Sequence, residues 1–307
     1  MKIVFMGTPD FAVPTLKALI EDGHDIVGVF TQTDKPVGRK QILTPTPVKV
    51  YAREQGIEVY QPTTLRNGGA AETLNKLNPD VIVVVAYGKI LPDEILSLPK
   101  YGCVNGHASI LPRHRGASPI QWSIYCGDKQ TGVTTQLMDS GIDTGDILET
   151  VTTDISDNET AETLHDRLSL LCAQLMCSTL KGLENGKIIP KKQEDSKATY
   201  CPIIKKEMAL LDFTKNANEL DCMIRAFSGW PVAYFMLDGK RVKVYSARVC
   251  TGDTTTGVVI NNQDGLIISC GDGTALELLN IQPEGSKPMT AKALLCGKNI
   301  PLGTKIN

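Results

Sequence analysis

The sequence predicts an α/β protein, in which a parallel β-sheet covered by helices is followed by a smaller domain rich in β-strands. In the first half of the chain, short apolar runs alternate with segments of helical spacing, which is typical of a parallel sheet. Beyond residue 207, short strand-like runs separated by turn residues follow one another. The 307 residues, of which 42% are hydrophobic and 21% are charged, are enough for two globular domains.

The first half of the chain opens with three strand-like runs that are rich in Val and Ile, as strands buried on both faces should be. They span residues 2–6, 25–30 and 80–86. Between the first two, Leu16, Leu19 and Ile20 recur at helical spacing and predict a helix. Pro47 and Gly56 bracket a second helix, because Pro is favoured at the start of a helix and Gly just past its end.

The pattern changes at Ser156, which with Glu159 forms a capping-box signature. An apolar stripe follows and predicts a helix that reaches about residue 183. Its members are Leu164, Leu168, Leu171 and Leu175. The polar stretch after this helix has no periodicity and is typical of a linker. The predicted boundaries are 1–186 for the first domain, 187–207 for the linker and 208–307 for the second domain.

The second domain shows strand patterns and one short helical pattern. Asp238-Gly239 between two apolar runs predicts a hairpin with a two-residue turn. Further strand-like runs lie at 257–260, 266–270 and 276–282. About five short strands at regular spacing favour a small barrel of the OB type.

The apolar runs and the cysteines of the sequence also indicate the cellular compartment to expect for the protein. No uncharged apolar run is long enough to span a bilayer, so we expect no membrane segment. The nine cysteines are odd in number and none stands in C-x-x-C spacing. We therefore expect free thiols in a cytoplasmic protein, and neither disulfides nor a zinc site.

The strongest chemical signal follows the strand-like residues Cys103 and Val104. Asn105 and His107 are two residues apart, so in an extended chain their side chains point the same way. The carboxyl end of a strand is where ligands bind in open α/β sheets. An amide beside an imidazole suits stabilisation of an oxygen that gains negative charge, with proton exchange at the ring. A polar pair that only ties down a loop is the alternative.

A second stretch with chemical potential runs from Asp139 to Asp146. Two glycines there permit close approach of the backbone to a ligand. A carboxylate such as Asp143, brought close to His107, would orient the ring and favour its charged form. A calcium loop would require a distal Glu at fixed spacing, which is missing, so no metal is expected. A plain acidic turn remains an alternative.

Together these stretches resemble the signature of the formyltransferases that use 10-formyltetrahydrofolate. The motifs that carry the resemblance are Asn105-x-His107-x-Ser109-x-Leu111-Pro112, Arg113-x-Arg115-Gly116-Ala117-x-Pro119 and Asp139-x-Gly141-x-Asp143-Thr144-Gly145. Three more stretches are similar to the members that formylate methionyl-tRNA. They are Gly7-Thr8-Pro9-Asp10, Gln32-x-Asp34-Lys35-Pro36-x-Gly38-Arg39, and Arg225-Ala226-Phe227 with Trp230-Pro231. The likeness covers essentially the whole chain.

The resemblance implies a Rossmann-like formyltransferase domain followed by an OB-like domain that binds tRNA. It implies transfer of a formyl group from 10-formyltetrahydrofolate to the amino group of methionine on initiator tRNA. Asn105 and protonated His107 would stabilise the oxyanion, and Asp143 would hold His107 and help to move protons. Folate would be bound largely by backbone groups. These belong to Tyr87, Gly88, Lys89, Ile90, Leu91, Ser109, Ile110, Leu111, Pro112, Asp139 and Gly141.

Basic residues provide the expected contacts with tRNA. They lie in a long loop after the second strand, at Lys35, Arg39, Lys40 and Lys49, and in the linker, at Lys191, Lys192, Lys205 and Lys206. Each taken alone could equally be a solvated surface residue. A formyltransferase acting on a small amine, such as an amino sugar, would keep the catalytic motifs without needing these residues. A monomer is expected.

Overall fold

The computed structural model describes residues 1–38 and 40–306. The described chain divides into two compact units. The first unit contains Met1–Pro119, Thr131–Thr153 and His165–Cys201. The second unit contains Ile120–Gln130, Asp154–Leu164 and the chain from Pro202 onward. Each unit therefore combines segments that are far apart in the sequence.

The strands, numbered along the chain, are β1 (Lys2–Gly7), β2 (Asp25–Phe30), β3 (Lys35–Val37), β4 (Ile42–Thr44), β5 (Val59–Tyr60), β6 (Val81–Val85), β7 (Cys103–His107), β8 (Arg115–Gly116), β9 (Gln130–Leu137), β10 (Asp146–Asp154), β11 (Tyr200–Cys201), β12 (Tyr234–Leu237), β13 (Lys240–Thr251), β14 (Val259–Asn261), β15 (Leu266–Ser269), β16 (Thr274–Pro283) and β17 (Met289–Thr290). The helices are α1 (Val13–Glu21), α2 (Pro47–Glu54), α3 (Gly69–Leu77), α4 (Asp93–Leu96), α5 (Pro119–Tyr125), α6 (Ala161–Glu184), α7 (Ala217–Ala226) and α8 (Ala291–Gly297).

The first unit is built on a sheet with the strand order β10-β9-β7-β6-β1-β2-β5. The five strands from β5 to β7 pair in parallel, whereas β9 pairs antiparallel to β7. All five residues of β6 are buried, as expected for a strand covered on both faces. The parallel sheet predicted from the alternating pattern is confirmed. The antiparallel strand was not predicted, because an apolar pattern carries no information on strand direction.

Helix α2 begins where the sequence predicts. The side chain of Thr46 accepts a hydrogen bond from the backbone N–H of Lys49 at 3.2 Å, and Pro47 stands in the first turn. A hydroxyl cap satisfies one of the unpaired donors at a helix start, and an early proline removes another because it has no N–H. Together they position the end of the long loop that precedes α2.

Helix α6 starts later than its capping signature suggested. The backbone N–H of Ser156 does donate to Glu159, at 3.1 Å. The hydroxyl of Thr160, however, accepts from the N–H of Thr163 at 3.3 Å, and the helix begins at Ala161. Its buried face follows steps of four residues, at Leu164, Leu168, Cys172, Met176 and Leu180. Of the predicted stripe, Leu171 and Leu175 are only half-buried.

The segment 187–201 belongs to the first unit. Strand β11 pairs in parallel with β8, and Lys191 forms an antiparallel bridge with Ile147. The first part of the predicted linker is therefore paired with the backbone of this unit. The domain boundaries 1–186, 187–207 and 208–307 stay a prediction.

The second unit contains an antiparallel sheet with the order β12-β13-β16-β15-β14, and β17 pairs with β16. The predicted hairpin is confirmed, since Leu237 pairs with Lys240 and leaves Asp238 and Gly239 as its two-residue turn. Both turn residues have positive φ, 51° and 72°, as tight hairpin turns require. Strand β13 shifts register near Ser246, a feature that bends strands. The sheet is curled, which is consistent with the predicted small barrel.

The nine cysteines all lie among the described residues, and none of them forms a disulfide there. Among residues 1–38 and 40–306, no helix has both the length and the apolar character needed to cross a membrane.

Candidate active site

Strand β7 presents Asn105 and His107 on one face of the sheet. Gly106 between them faces α6, where an added Cβ would stand 2.5 Å from the sulfur of Cys172. Because side chains alternate along a strand, Asn105 and His107 share the opposite face. The predicted common direction of these two residues therefore agrees with the structure. Both residues lie inside the strand, among its last three positions. The sequence had predicted them just past the end of the strand.

The structure brings Asp143 to this pair. Its Oδ1 atom lies 3.5 Å from Nδ1 of His107 and 3.4 Å from Nδ2 of Asn105. The His107 ring is almost fully buried, with 6% of its side chain exposed, whereas Asn105 is only half-buried. The three side chains proposed from the sequence thus converge, with Asn105 on the accessible side.

A hydrogen bond at the far side of the ring fixes the orientation of His107. Its Nε2 atom lies 2.9 Å from the backbone oxygen of His114. A carbonyl oxygen only accepts, so Nε2 carries a hydrogen. The other nitrogen, Nδ1, is the one that faces the carboxylate of Asp143. A ring protonated at both nitrogens would carry a second N–H on the side of Asp143.

Two further groups hold the carboxylate of Asp143. The amide of Gln136 donates to Oδ1 and the backbone N–H of Gly116 donates to Oδ2, each at 2.9 Å. Gln136 stands opposite Asn105 in the pairing of β7 with β9, and only 1% of it is exposed. Gln136 was not among the site residues predicted from the sequence. The available signal was a run of polar residues inside a strand, Thr134-Thr135-Gln136, all of which are buried.

The loop after β7 is tied back to β9. The hydroxyl of Thr134 donates to the carbonyl of Ser109 at 2.7 Å and accepts from the N–H of Leu111 at 3.2 Å. The Ser109 hydroxyl donates to the carbonyl of Arg113 at 2.6 Å. The side chains of Ser109 and Leu111 are buried, so a ligand here would meet mainly backbone, as the resemblance implies.

The loop after β6 has the same character. Gly88 has a φ of 78°, and the carbonyls of Tyr87 and Gly88 accept hydrogen bonds from Gln32 at 3.1 and 2.9 Å. Lys89 donates to the carbonyls of Pro62 and Thr63. Burial, and secondarily the charge of Lys35, lowers the pKa of Lys89. Burial raises the pKa of Tyr87 to about 12, so its ring is a neutral part of the core.

The acidic loop is shaped from within. The carboxylate of Asp139 accepts from the N–H of Gly141 at 3.0 Å and from the hydroxyl of Thr144 at 2.6 Å. An added Cβ on Gly141 would stand 2.0 Å from that hydroxyl, so the close turn requires glycine. Asp139 therefore closes the turn that leads to Asp143. Among the described residues, no group of three His, Cys, Asp or Glu is arranged to hold a metal ion.

The basic residues proposed for tRNA contacts differ in their surroundings. Arg39 lies outside the described residues. Lys40 is exposed beside the hairpin of β3 and β4, and the four linker lysines, Lys191, Lys192, Lys205 and Lys206, are exposed as well. Lys49 is buried, with its amine 2.6 Å from Asp34 and 2.7 Å from the side-chain oxygen of Gln61. Its expected role as a surface contact is therefore wrong.

Comparison with known proteins identifies two matching families along the chain. The Formyl transferase family matches residues 1–180, and the family described as Formyl transferase, C-terminal domain, matches residues 203–299. Methionyl-tRNA formyltransferase from Caldanaerobacter subterraneus subsp. tengcongensis is 49% identical over 307 residues, covering 99% of each chain. The Bacillus subtilis protein of the same name is 45% identical, covering 98% of this chain and 96% of its own.

One solved structure shows the same fold at low sequence identity. The N-formyltransferase from Helicobacter canadensis, in complex with folinic acid and dTDP-3-aminofucose, superposes with a TM-score of 0.71 at 21% identity. The match covers 92% of this chain and 99% of that one. With the two family matches and the near-full-length relatives, the chain belongs to the formyl transferase family, in the branch of the methionyl-tRNA formyltransferases.

Proposed function

We propose that the protein transfers the formyl group of 10-formyltetrahydrofolate to the amino group of methionine esterified to initiator tRNA. The observation that carries this proposal is the convergence of Asn105, His107 and Asp143, in a chain that matches methionyl-tRNA formyltransferases over almost its whole length. An amide, an imidazole and a carboxylate in contact provide the groups that acyl transfer requires.

The reaction replaces one carbon–nitrogen bond by another. The free amine of methionine attacks the formyl carbon of the folate, and the carbonyl oxygen gains negative charge. The bond from that carbon to N10 of the folate then breaks, and the proton lost by the amine is taken up at N10. Hydrogen-bond donors directed at the oxygen stabilise the charged intermediate.

The geometry suggests which atoms act as donors. Nε2 of His107 is engaged by the carbonyl of His114 at 2.9 Å. Nδ1, at 3.5 Å from Asp143, is beyond a normal hydrogen-bond length, so its N–H would be available to the oxyanion. The amide of Asn105 contacts the same carboxylate at 3.4 Å and has a second N–H to offer. Asp143 would then balance the imidazolium and help to move the proton.

We infer that folate is bound by backbone groups around this centre. The buried side chains of Ser109 and Leu111 and the positive φ of Gly88 support this inference. The proposed residues are Tyr87, Gly88, Lys89, Ile90, Leu91, Ser109, Ile110, Leu111, Pro112, Asp139 and Gly141.

We infer that tRNA meets exposed basic residues and the C-terminal region 208–307. The proposed contacts are Arg39, Lys40, Lys191, Lys192, Lys205 and Lys206. The exposure of the described lysines supports this assignment, since only accessible cations reach phosphates. A cytoplasmic monomer is also proposed, because charged tRNA is a cytoplasmic substrate and the catalytic groups come from one chain.

The test compares three formyl acceptors with the purified protein and 10-formyltetrahydrofolate. They are initiator Met-tRNA, elongator Met-tRNA and a nucleotide-linked amino sugar. We expect formylmethionine, detected by mass spectrometry after hydrolysis, mainly on initiator tRNA. Its rate of formation at low tRNA concentration should fall steeply with salt, because phosphate contacts release counterions.

Formylation of the amino sugar without formylation of Met-tRNA would overturn the proposal in favour of a small-amine acceptor. A salt-independent rate with Met-tRNA would overturn only the assignment of the basic contacts. The matched control omits the folate donor.

A further inference from the structure

The side chain of Gln193 lies in the stretch that the sequence suggests is a linker. Its Nε2 atom donates to the carbonyl oxygens of Asp143, at 2.9 Å, and Gly145, at 2.7 Å. Its Oε1 atom accepts from Nε of Arg115 at 3.0 Å. Carbonyls cannot donate and a guanidinium cannot accept, so this is the only orientation of the amide that fits its partners. Both N–H groups and the oxygen of the side chain are therefore engaged.

Arg115 anchors this amide from inside the protein. Only 1% of Arg115 is exposed, and its guanidinium also donates to Asp195 at 2.9 Å. Its backbone leads directly into Gly116, whose N–H holds the carboxylate of Asp143. Gly116 has a φ of 117°, and an added Cβ would stand 2.6 Å from the carbonyl oxygen of Cys201. Gln193 thus contacts the backbone of Asp143 directly, and Arg115 links it to Gly116, which holds the Asp143 carboxylate.

The backbone at Asp143 needs such support. Asp143 has a φ of 53°, in the left-handed region that a residue with a side chain seldom occupies. Such a conformation persists where surrounding contacts hold it. Gln193 holds the carbonyl of Asp143 and the carbonyl two residues further on, and so fixes the turn at two points. A turn released from these contacts would move the carboxylate away from His107.

We propose that Gln193, anchored by Arg115, is a positioning residue that holds Asp143 in register with His107 and Asn105. This inference rests on the proposed function, because it assigns Gln193 a part in the formyl transfer. Gln193 then takes part in shaping the site, and the segment that carries it is more than a connection between domains.

The test uses the full chain with two substitutions that separate the contacts of Gln193. Gln193→Met keeps the size of the side chain and removes all three hydrogen bonds. Gln193→Glu keeps an acceptor for Arg115 but turns carboxylate oxygens toward the two carbonyls. We expect both variants to lower kcat by about tenfold to a hundredfold, with KM for folate and Met-tRNA close to wild type. Neighbouring Glu194→Gln, which breaks an exposed pair with Lys197, is the control.

A wild-type kcat in the Gln193→Met variant would overturn the inference. Full activity of the Gln193→Glu variant would also overturn the inference, because it would show that the contact with Arg115 alone is sufficient. A merely structural role would lower the fraction of folded protein, measured by titration with a folate analogue, and leave kcat per folded site unchanged. If Gln193→Met does not fold, Gln193→Glu decides alone. If the wild type acts on another amine, the same kcat comparison is made with that acceptor, so the two proposals fail separately.

Discussion

At the scale of single residues, the candidate site centres on the carboxylate of Asp143. Gln136 and Gly116 donate to it at 2.9 Å, and Asn105 and His107 approach it at 3.4 and 3.5 Å. Removing one partner of a buried polar group costs about 1–3 kcal/mol, because the other partner is left unpaired. Substitutions at this carboxylate should therefore affect the geometry of the whole set.

Alanine at Asn105, His107 or Asp143 is expected to lower kcat by about 10²–10³. Each substitution removes a group that contacts the reacting atoms or holds one that does. Steady-state kinetics with Met-tRNA measure the effect, and circular dichroism verifies the fold.

The matched control is His165→Ala, because that histidine pairs with Asp10 and Asp166 near the surface. The control should have wild-type kcat. A folded His107→Ala variant with normal turnover would disprove the assignment.

The sequence predicts those parts of the site that depend on neighbouring residues in the chain, and it does not predict those that depend on tertiary contacts. The shared direction of Asn105 and His107 follows from the alternation of side chains along a strand, which is a local property. Asp143 could be proposed because glycines and carboxylates mark its loop. A polar run inside a strand marks Gln136 as unusual, but the partners of Gln136 and Gln193 could not be predicted. They depend on which strands pair and on the return of residues 187–201 to the first unit.

At the scale of elements, the hairpin of β3 and β4 rests on a partly buried polar network. Lys49 donates to Asp34 and Gln61, and the Gln61 amide donates to Asp34 at 2.8 Å and to the carbonyl of Gln32 at 2.7 Å. The hydrogen bond from Lys49 is the main cause of the lowered pKa of Asp34. Lys49 was expected at the surface, as one of a set of basic residues that contact tRNA. Its position on the buried face of α2, beside Val48 and Ala52, decides otherwise.

Lys49→Met is expected to loosen this hairpin, because Asp34 and Gln61 lose their common partner. Amide hydrogen exchange over residues 35–44 should become faster, while binding of a folate analogue stays intact.

Acidification should also loosen this hairpin. A carboxyl whose pKa is lowered in the folded state stabilises the fold above its ordinary value of 3.8, and this contribution is lost as the pH falls through the lowered pKa.

The exposed Lys17→Met, on α1, serves as the control, since Lys17 forms only a long surface pair with Glu21 at 3.8 Å. An unchanged rate of amide hydrogen exchange in the hairpin of the Lys49→Met variant would mean that the network does not support the hairpin.

At the scale of the whole molecule, the two compact units do not follow the order of the sequence. Residues 120–130 and 154–164 belong to the second unit. There Tyr125 stacks on Phe227 at 5.6 Å, and Arg225 donates to the carbonyl of Glu159 at 3.1 Å. The alternation of strands and helices predicts the fold class of each half, but not this exchange of segments. Such contacts join residues that are 66 and 102 positions apart in the sequence and follow no periodic pattern.

Buried thiols allow the unfolding of each unit to be followed separately. Burial raises the pKa of Cys172, in the first unit, and of Cys270, in the second, to about 12. Burial keeps these thiols protonated and out of reach of a labelling reagent, so they should react only on unfolding. Exposed Cys126 and Cys296 should react at once.

Pulsed thiol labelling across a urea series, read by peptide mass spectrometry, measures both transitions. Coincident labelling of Cys172 and Cys270 is the result expected if the interleaved units unfold together. Rapid labelling of either cysteine in the absence of urea would contradict its burial.

The attachment of residues 187–201 to the Asp143 loop has a consequence for recombination between related genes. A crossover between residues 180 and 193 would join the Asp143 loop of one parent to the Gln193 of another, and would mix the two sides of one set of hydrogen bonds. Chimeras that exchange the C-terminal part should therefore retain parental activity best when the junction follows Cys201, where the first unit ends.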